Sequence, residues 1–324
     1  MNIRFINHLK CLHHRDKQIK LVLSSLSVEG ENECIEGLLR CELCNTQYPI
    51  LEGVPILVKD FVKYASNRGN AYGRWLLQSR TSEMKDFLKN IAPRLIPDLV
   101  SNDRYEEDGY WFAPYKWAQY DYTPDDYFLK LLKRDIKPTD LYDKIIGPLP
   151  IRTEGIALDL GCSMGYTTLE LSQKYSFVIG IDLSFSSVKE ARRRMALSNI
   201  KNSEFCVADS IDPPFGAMKF DLILVLNLLE LVEPNKLLSS IHWLLKPHAD
   251  VIFADPYDYK REPKPKIQLD GSAFRTLLCD SGFEIFEKTK KTETFIPWIL
   301  KIADRAYLFY FVDLVKAYKV SKHR

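Results

Sequence analysis

Residues 157–182 read ALDLGCSMGYTTLELSQKYSFVIGID. An apolar strand runs into a glycine turn, a helix follows, and a second apolar strand ends in an acid. Gly161 lets the backbone turn sharply, and Gly165 opens the helix with no side chain in the way. The helix then presents unpaired N–H groups at its start. That order builds a nucleotide-cofactor pocket at the edge of a parallel sheet.

Working outward, strands are expected at Ile156–Leu160, Phe177–Ile181, Glu204–Val207, Asp221–Leu226 and Asp250–Ala254. Helical patterns separate them, as at Phe185–Asn199 and Asn235–Leu245. Short strands buried on both faces and spaced by helices predict a parallel sheet with crossovers. After a helix near Ser272–Ser281, the pair Phe283–Lys288 and Thr292–Ile296 predicts a β-hairpin edge. In the tail, apolar residues recur every three to four positions, from Ile299 through Ile302, Ala306, Phe309 and Tyr310 to Leu314. That spacing predicts a C-terminal helix over 297–324, packed on the domain, on a membrane surface or on a partner.

A dinucleotide turn would read G-x-G-x-x-G, its middle glycine admitting a pyrophosphate. Here Ser163 stands at that place, and Asp159 precedes Gly161 by two residues. An acid there suits a cationic amino group. Asp182, ending the second strand, can accept from ribose hydroxyls, and Asp209, after the third, from an adenine amino group. Each alone reads equally as a cap or turn residue; at successive strand ends the three together specify an adenosyl pocket. Asp212-Pro213-Pro214-Phe215 spells a tetrapeptide found in amino-directed adenine methyltransferases. It follows strand three instead of strand four, so it reads as a rigid proline loop.

On these residues, 151–260 resembles a class I S-adenosylmethionine-dependent methyltransferase. The resemblance implies an α/β fold with a Rossmann-like seven-stranded sheet and S-adenosylmethionine as cofactor. It places the cofactor on Asp159, Gly161, Cys162, Gly165, Asp182, Leu183, Asp209, Ser210 and Asn227. The block FDLILVLNLLELV resembles the family's fourth strand, so Asn227 to Glu230 would lie where the sheet meets the methyl group. The loop Asp255-Pro256-Tyr257 resembles a substrate-side element. His248-Ala249-Asp250 departs from the glycine turn that often precedes strand five.

Residues 1–60 hold four of the seven cysteines. Cys41-Glu42-Leu43-Cys44 is a C-x-x-C knuckle, and Cys11 is followed three residues on by His14. Two such pairs across a β-ribbon make a tetrahedral Cys₃His site suited to zinc. QYPILEGVPILV predicts two strands around a Glu52-Gly53 turn. This region resembles the small zinc-ribbon activator protein of tRNA and translation-factor methyltransferases. It departs where the family commonly has a second cysteine and this chain has His14; His13 and Cys34 remain alternative ligands. A module of this size has little core of its own, so the metal is structural.

The expected organisation is a zinc-ribbon-like module (1–60), a helical aromatic-rich linker or lid (61–150), a methyltransferase domain (151–296) and the terminal helix (297–324). Tyr110, Trp111, Phe112, Tyr115, Trp117, Tyr120 and Tyr122 form a lid over the pocket or a core joining the insertion to the sheet. Asp121 and Asp125 or Asp126 would begin a helix at Asp126–Lys133. If the nucleophile starts protonated, Glu230, Asp255, Tyr257 and His242 are the candidate bases.

The 45 Lys and Arg against 43 Asp and Glu leave a net charge of +2, which argues against a large nucleic-acid footprint. The N-terminus lacks the apolar core of a secretory signal, and no apolar run reaches the roughly 18 residues of a spanning helix. An odd cysteine count points to thiols and metal ligands in a reducing cytoplasm. The sequence therefore predicts in-line methyl transfer to N or O of a small molecule or peptide. The alternatives are an RNA or translation-factor methyltransferase using the zinc ribbon, and a non-catalytic S-adenosylmethionine-binding scaffold.

Overall fold

The computed structural model describes residues 1–14, 16–17, 19–29, 32–96, 104–107, 109–124, 130, 136–260, 265–291 and 295–320. The core of the molecule is a parallel sheet formed by β5 (Arg152–Leu160), β6 (Tyr175–Asp182), β7 (Ser203–Ala208), β8 (Phe220–Leu226) and β9 (Leu245–Asp255). These strands are nearly continuous runs of buried apolar residues, as strands covered on both faces must be. Their spatial order is β7-β6-β5-β8-β9. The order therefore reverses beside β5, leaving a crevice at the strand C-termini.

Crossover helices α6 (Tyr166–Leu171), α7 (Phe185–Leu197), α8 (Pro234–Leu244) and α9 (Gly271–Asp280) cover the sheet. Each start has a physical cause. Gly165 enters α6 with a left-handed φ of 81°. The Ser184 side chain accepts from the Ser187 N–H at α7, and Asp270 accepts from Ser272 and Ala273 at α9. Pro234 opens α8 at a position where its missing N–H costs nothing.

Both edges of this sheet are extended. At one, β1 (Leu21–Glu29), β2 (Glu33–Cys41), β3 (Gln47–Leu51) and β4 (Val54–Leu57) form an antiparallel meander. Glu52 and Gly53, with φ of 51° and 79°, make the tight turn between β3 and β4. β4 then pairs in parallel with β7, Ile56 opposite Val207 and Leu57 opposite Ala208. One hydrophobic core runs from Phe5, Leu12 and Tyr48 of the ribbon to Leu158, Ile181 and Phe215 of the sheet. The ribbon is thus fused to the sheet as its outermost strands.

At the other edge, β12 (Ala306–Lys319) inserts antiparallel between β9 and β10 (Phe283–Ile285), and β11 (Phe295–Ala303) folds back on β12. This corrects the expected C-terminal helix: residues 297–319 are two strands around Asp304-Arg305. Aromatic and branched residues at nearly every position satisfy both periodicities, and pairing with β9 selects the strand. It also corrects the expected hairpin, because β10 and β11 each pair with β12 and not with one another. Thr292–Thr294 lie outside the described residues. Among the described residues the continuous sheet has twelve strands, against the seven expected.

Between ribbon and sheet lie α1 (Phe61–Ser66), α2 (Gly69–Gln78), α3 (Ser82–Ile91), α4 (Phe112–Lys116), a π turn at Trp117–Asp121 and α5 (Asp140–Ile146). Trp75 of α2 packs edge-on against Phe185 of α7, 4.9 Å between centroids. The expected helix at Asp126–Lys133, with Asp125 and Asp126, falls outside the described residues except for Lys130, which is helical.

Candidate cofactor pocket and cysteine cluster

A cavity of about 540 Å³ opens at the C-terminal ends of β5, β6, β7 and β8, a size suited to one small ligand. Gly161, Ser163, Asp182, Asp209 and Asn227 stand on its wall. The glycine turn is built as the sequence predicts. Gly161 has φ 74°, and its N–H and that of Cys162 both donate to the Ile181 carbonyl at 2.9 Å. Ser163 is also left-handed, φ 49°, and its N–H donates to Asp182 Oδ2 at 2.9 Å. Gly165 lies behind the wall: a Cβ there would stand 2.8 Å from Ala191 and Phe205. Its glycine is required for helix-to-sheet packing and for φ.

The acids separate into two kinds. Asp182 and Asp209 face the cavity, each with its carboxyl raised by burial. Asp182 Oδ1 accepts from Ser184 N at 2.8 Å and Asp209 Oδ1 from Ile211 N at 3.0 Å. Asp159 does not face the cavity. It is buried beneath α6, where Oδ2 accepts from Thr167 Oγ1 at 2.5 Å and Thr168 Oγ1 at 2.7 Å. Burial pushes its carboxyl up to about 6. The expectation that Asp159 meets a cationic amino group is corrected: it pins the first turn of α6 to β5. Leu183 and Ser210 line the cavity, and Cys162 packs in the core away from it.

Asn227 is the strained member of the wall. It ends β8 with φ 52°, is 6% exposed, and its Oδ1 has no hydrogen-bond partner among the described residues. An unpaired buried acceptor costs about 1–3 kcal/mol, and a left-handed side-chain residue adds to that. The residue stands on the cavity wall, beside Leu226 and Leu228. With the glycine turn and the two carboxylates, these residues fit an adenosyl-type cofactor.

The sequence reading missed one wall. Arg68 Nε meets Glu106 Oε1 at 2.8 Å, and the Glu106 carboxylate accepts from Phe185 N at 2.9 Å and Ser186 N at 2.8 Å. A carboxylate from a remote segment thus caps α7. Tyr64 Oη donates to the Leu183 carbonyl at 2.9 Å. Tyr105 and Tyr115 reach the cavity, whereas Trp111 joins the core and Tyr120 Oη donates to the Met164 carbonyl at 3.0 Å. The insertion therefore both lines the cavity and joins the core. Its density of aromatics was the only signal; nothing local tied Glu106 to residue 185.

None of the four candidate bases lines the cavity. Asp255 accepts from Leu229 N at 2.9 Å and Tyr257 N at 2.8 Å. Tyr257 is held left-handed at φ 55°, and its Oη donates to Asp313 Oδ2 at 3.0 Å. Burial raises the Tyr257 hydroxyl far above its ordinary range. Asp313 in turn is gripped by Arg275 at 2.6 and 2.9 Å. Glu230 is fully buried, with Oε2 3.4 Å from Asp258 N. These three residues shape the loops behind the cavity. His242 sits in the last turn of α8 against Phe283, at the opposite end of the strands. A helix returning antiparallel to its strand carries its C-terminus away from the strand C-terminal edge, so His242 is excluded.

In the ribbon, Cys11, His14, Cys41 and Cys44 converge, all four donor atoms lying within 4.8 Å of one another. Cys11 Sγ is 3.8 Å from Cys44 Sγ, and Cys41 Sγ is 3.7 Å from His14 Nδ1. A tetrahedral site with Zn–S of about 2.3 Å spaces its sulfurs about 3.8 Å apart, so the donor set fits. Tyr48 Oη lies 3.5 Å from Cys11 Sγ and accepts from Leu12 N at 3.2 Å. Cys34 points elsewhere, toward the Glu36 carbonyl at 3.5 Å, and His13 is not in the cluster.

Residues 157–248 match the family described as a methyltransferase domain. An uncharacterized RNA methyltransferase of Aquifex aeolicus is 24% identical over 71% of this chain and 56% of its own length. A ubiquinone biosynthesis O-methyltransferase of Neisseria meningitidis serogroup C is 28% identical over 42% of this chain and 56% of its own. The chain thus spans little over half of either relative. The magnesium protoporphyrin IX methyltransferase of Synechocystis, solved with bound S-adenosylmethionine, aligns with 68% of this chain and 99% of that one at 17% identity and a TM-score of 0.47. No helix among the described residues is long and apolar enough to cross a membrane. Over residues 157–248 the chain is thus similar to a methyltransferase domain, and the matched segment runs from β5 into β9 at the centre of the sheet.

Proposed function

We propose that this protein transfers a methyl group from S-adenosylmethionine to a nitrogen or oxygen of a small molecule or peptide, by direct in-line displacement. The observation that carries this reading is the cavity wall: a glycine turn, two carboxylates on successive strand ends and an orphaned Asn227 amide, closed by tyrosines and leucines. When bound, the cofactor supplies an electrophilic methyl group on a good leaving group. Asp182 is placed to accept from ribose hydroxyls, and Asp209 with Ser210 to meet the adenine edge. Asn227 Oδ1 is placed to accept from a donor at the reacting end. Tyr115, Leu226, Leu228 and Leu231 exclude water there. Placement and orientation alone can lower such a barrier by about 7–11 kcal/mol.

Cys11, His14, Cys41 and Cys44 would hold a structural zinc. Four protein donors leave no open coordination position for catalysis. Its absence of a chemical role fits a ribbon whose strands finish one edge of the sheet.

Calorimetry should show S-adenosylhomocysteine binding, lost in Asp182→Ala, with no comparable binding of NAD. Tritiated-methyl transfer into fractionated cell extract should label a small-molecule or peptide fraction. Preference for NAD would overturn the reading. Labelled RNA together with steeply salt-sensitive RNA binding would move the acceptor to the class named for the Aquifex relative. Metal analysis before and after Cys41→Ser should show about one zinc per chain falling to none.

A further inference from the structure

One face of the β11–β12 hairpin is unused by everything above. Phe295, Phe309 and Phe311 are 54%, 39% and 62% exposed. The register sets them on the same face, with Phe311 opposite Pro297 and Phe309 opposite Ile299. The Phe311 ring stands 6.5 Å from Phe295 and 5.2 Å from Phe309. The opposite face, including Ile296, Trp298 and Val312, is already filled by the core. Three clustered phenylalanines in water are an unusual exposure for a soluble surface, and their rings lack the polar tip that tyrosine or tryptophan would offer.

The surrounding charges select the occupant. Lys288, Lys290 and Lys291 are exposed on the approach to β11, with Lys290 paired to Glu287. Lys301 and Arg305 lie on the hairpin itself, beside Asp304. Apolar rings flanked by cations complement acyl chains beneath anionic headgroups. Single-stranded RNA is a poorer fit. The ring planes meet at 74° and 79°, a wedge of edges and not a platform for stacked bases.

We propose that this aromatic face docks the protein peripherally on an anionic lipid bilayer. The hairpin is placed for it: Asp313 pairs with Asp255, the last residue of β9, so residues 306–312 run past the strand C-terminal edge on which the cofactor cavity opens. Docking does not rest on the methyl-transfer reading.

The test is co-sedimentation of the full chain with vesicles of phosphatidylcholine, alone or with roughly a third phosphatidylserine. Binding is expected to the anionic vesicles, weakened by salt and reduced at least about tenfold in Phe295→Ser/Phe309→Ser/Phe311→Ser. Lys290→Glu/Lys291→Glu should lower binding while leaving the rings in place. Circular dichroism and thermal unfolding of both variants confirm the fold. Absence of binding overturns the proposal, as does binding that survives the triple serine variant. A concentration-dependent dimer or an RNA complex abolished by the serines, without vesicle binding, also overturns it and assigns the face elsewhere.

Discussion

The two edges of the sheet are finished in opposite ways. At the β7 edge, the ribbon closes the sheet through buried ion pairs and hydrogen bonds. Arg192 Nη1 meets Glu204 Oε2 at 2.5 Å, its Nη2 meets Glu33, and Asn2 N donates to Glu204 Oε1 at 2.8 Å. At the β9 edge, a hairpin leaves three phenylalanines in solvent. One extension hides the exposed backbone of an edge strand; the other creates a surface. Added strands therefore have no single meaning, and their side chains decide whether they close a domain or equip it.

The sharpest way to break this contrast is Arg192→Met. Arg192 is 9% exposed and Glu204 4%, so the variant strands a buried carboxylate, and a loss of about 3–5 kcal/mol is expected in urea unfolding. A loss under about 1 kcal/mol would show the ribbon edge to be as tolerant as a surface pair. Gly165→Ala tests the cofactor turn between the edges. Strain at φ 81° and a Cβ only 2.8 Å from its neighbours predict about 2–4 kcal/mol of destabilisation, with weakened S-adenosylhomocysteine binding.

Asp159→Asn sharpens the reading of the buried acid. Its folded pKa, near 6, lies above the unfolded value of 3.8. The native state therefore binds more protons, and this group's contribution to stability falls as pH rises between about 4 and 6. The amide cannot ionise, so the variant should gain on the wild type by up to about 3 kcal/mol across that window and hold the difference above it. A pH-independent difference in paired urea titrations would refute the assignment. The smallest effect belongs to the hairpin: Phe311→Ser should change stability by less than about 0.5 kcal/mol, since its ring is 62% exposed. A large loss there would make the aromatic face a core after all.

These contrasts also show what could be read without coordinates. The five parallel strands and the glycine turn were legible because each is local: apolar runs, breaker residues and caps report on their own neighbourhood. Asp182 and Asp209 were legible because a strand end leaves an acid few places to point. Asp159 was misread because two threonines in the first turn of α6, Thr167 and Thr168, hold its carboxylate, and motif spacing says nothing of that competition. The tail was misread because its composition suits both a helix and a strand. Glu106 was invisible because its partners lie roughly eighty residues away in the chain.

Sequence by itself determined the order of strands, turns and acids that makes a cofactor crevice, and the three cysteines and one histidine that meet in the ribbon. Those properties follow from short-range sterics and from donor chemistry carried by single side chains. Only tertiary structure decided that the ribbon joins the sheet through β4, that the tail pairs with β9, and that Glu106 caps a distant helix. Each of these depends on pairing between segments remote in the chain, where the free energy comes from burial and hydrogen bonds that no local window contains.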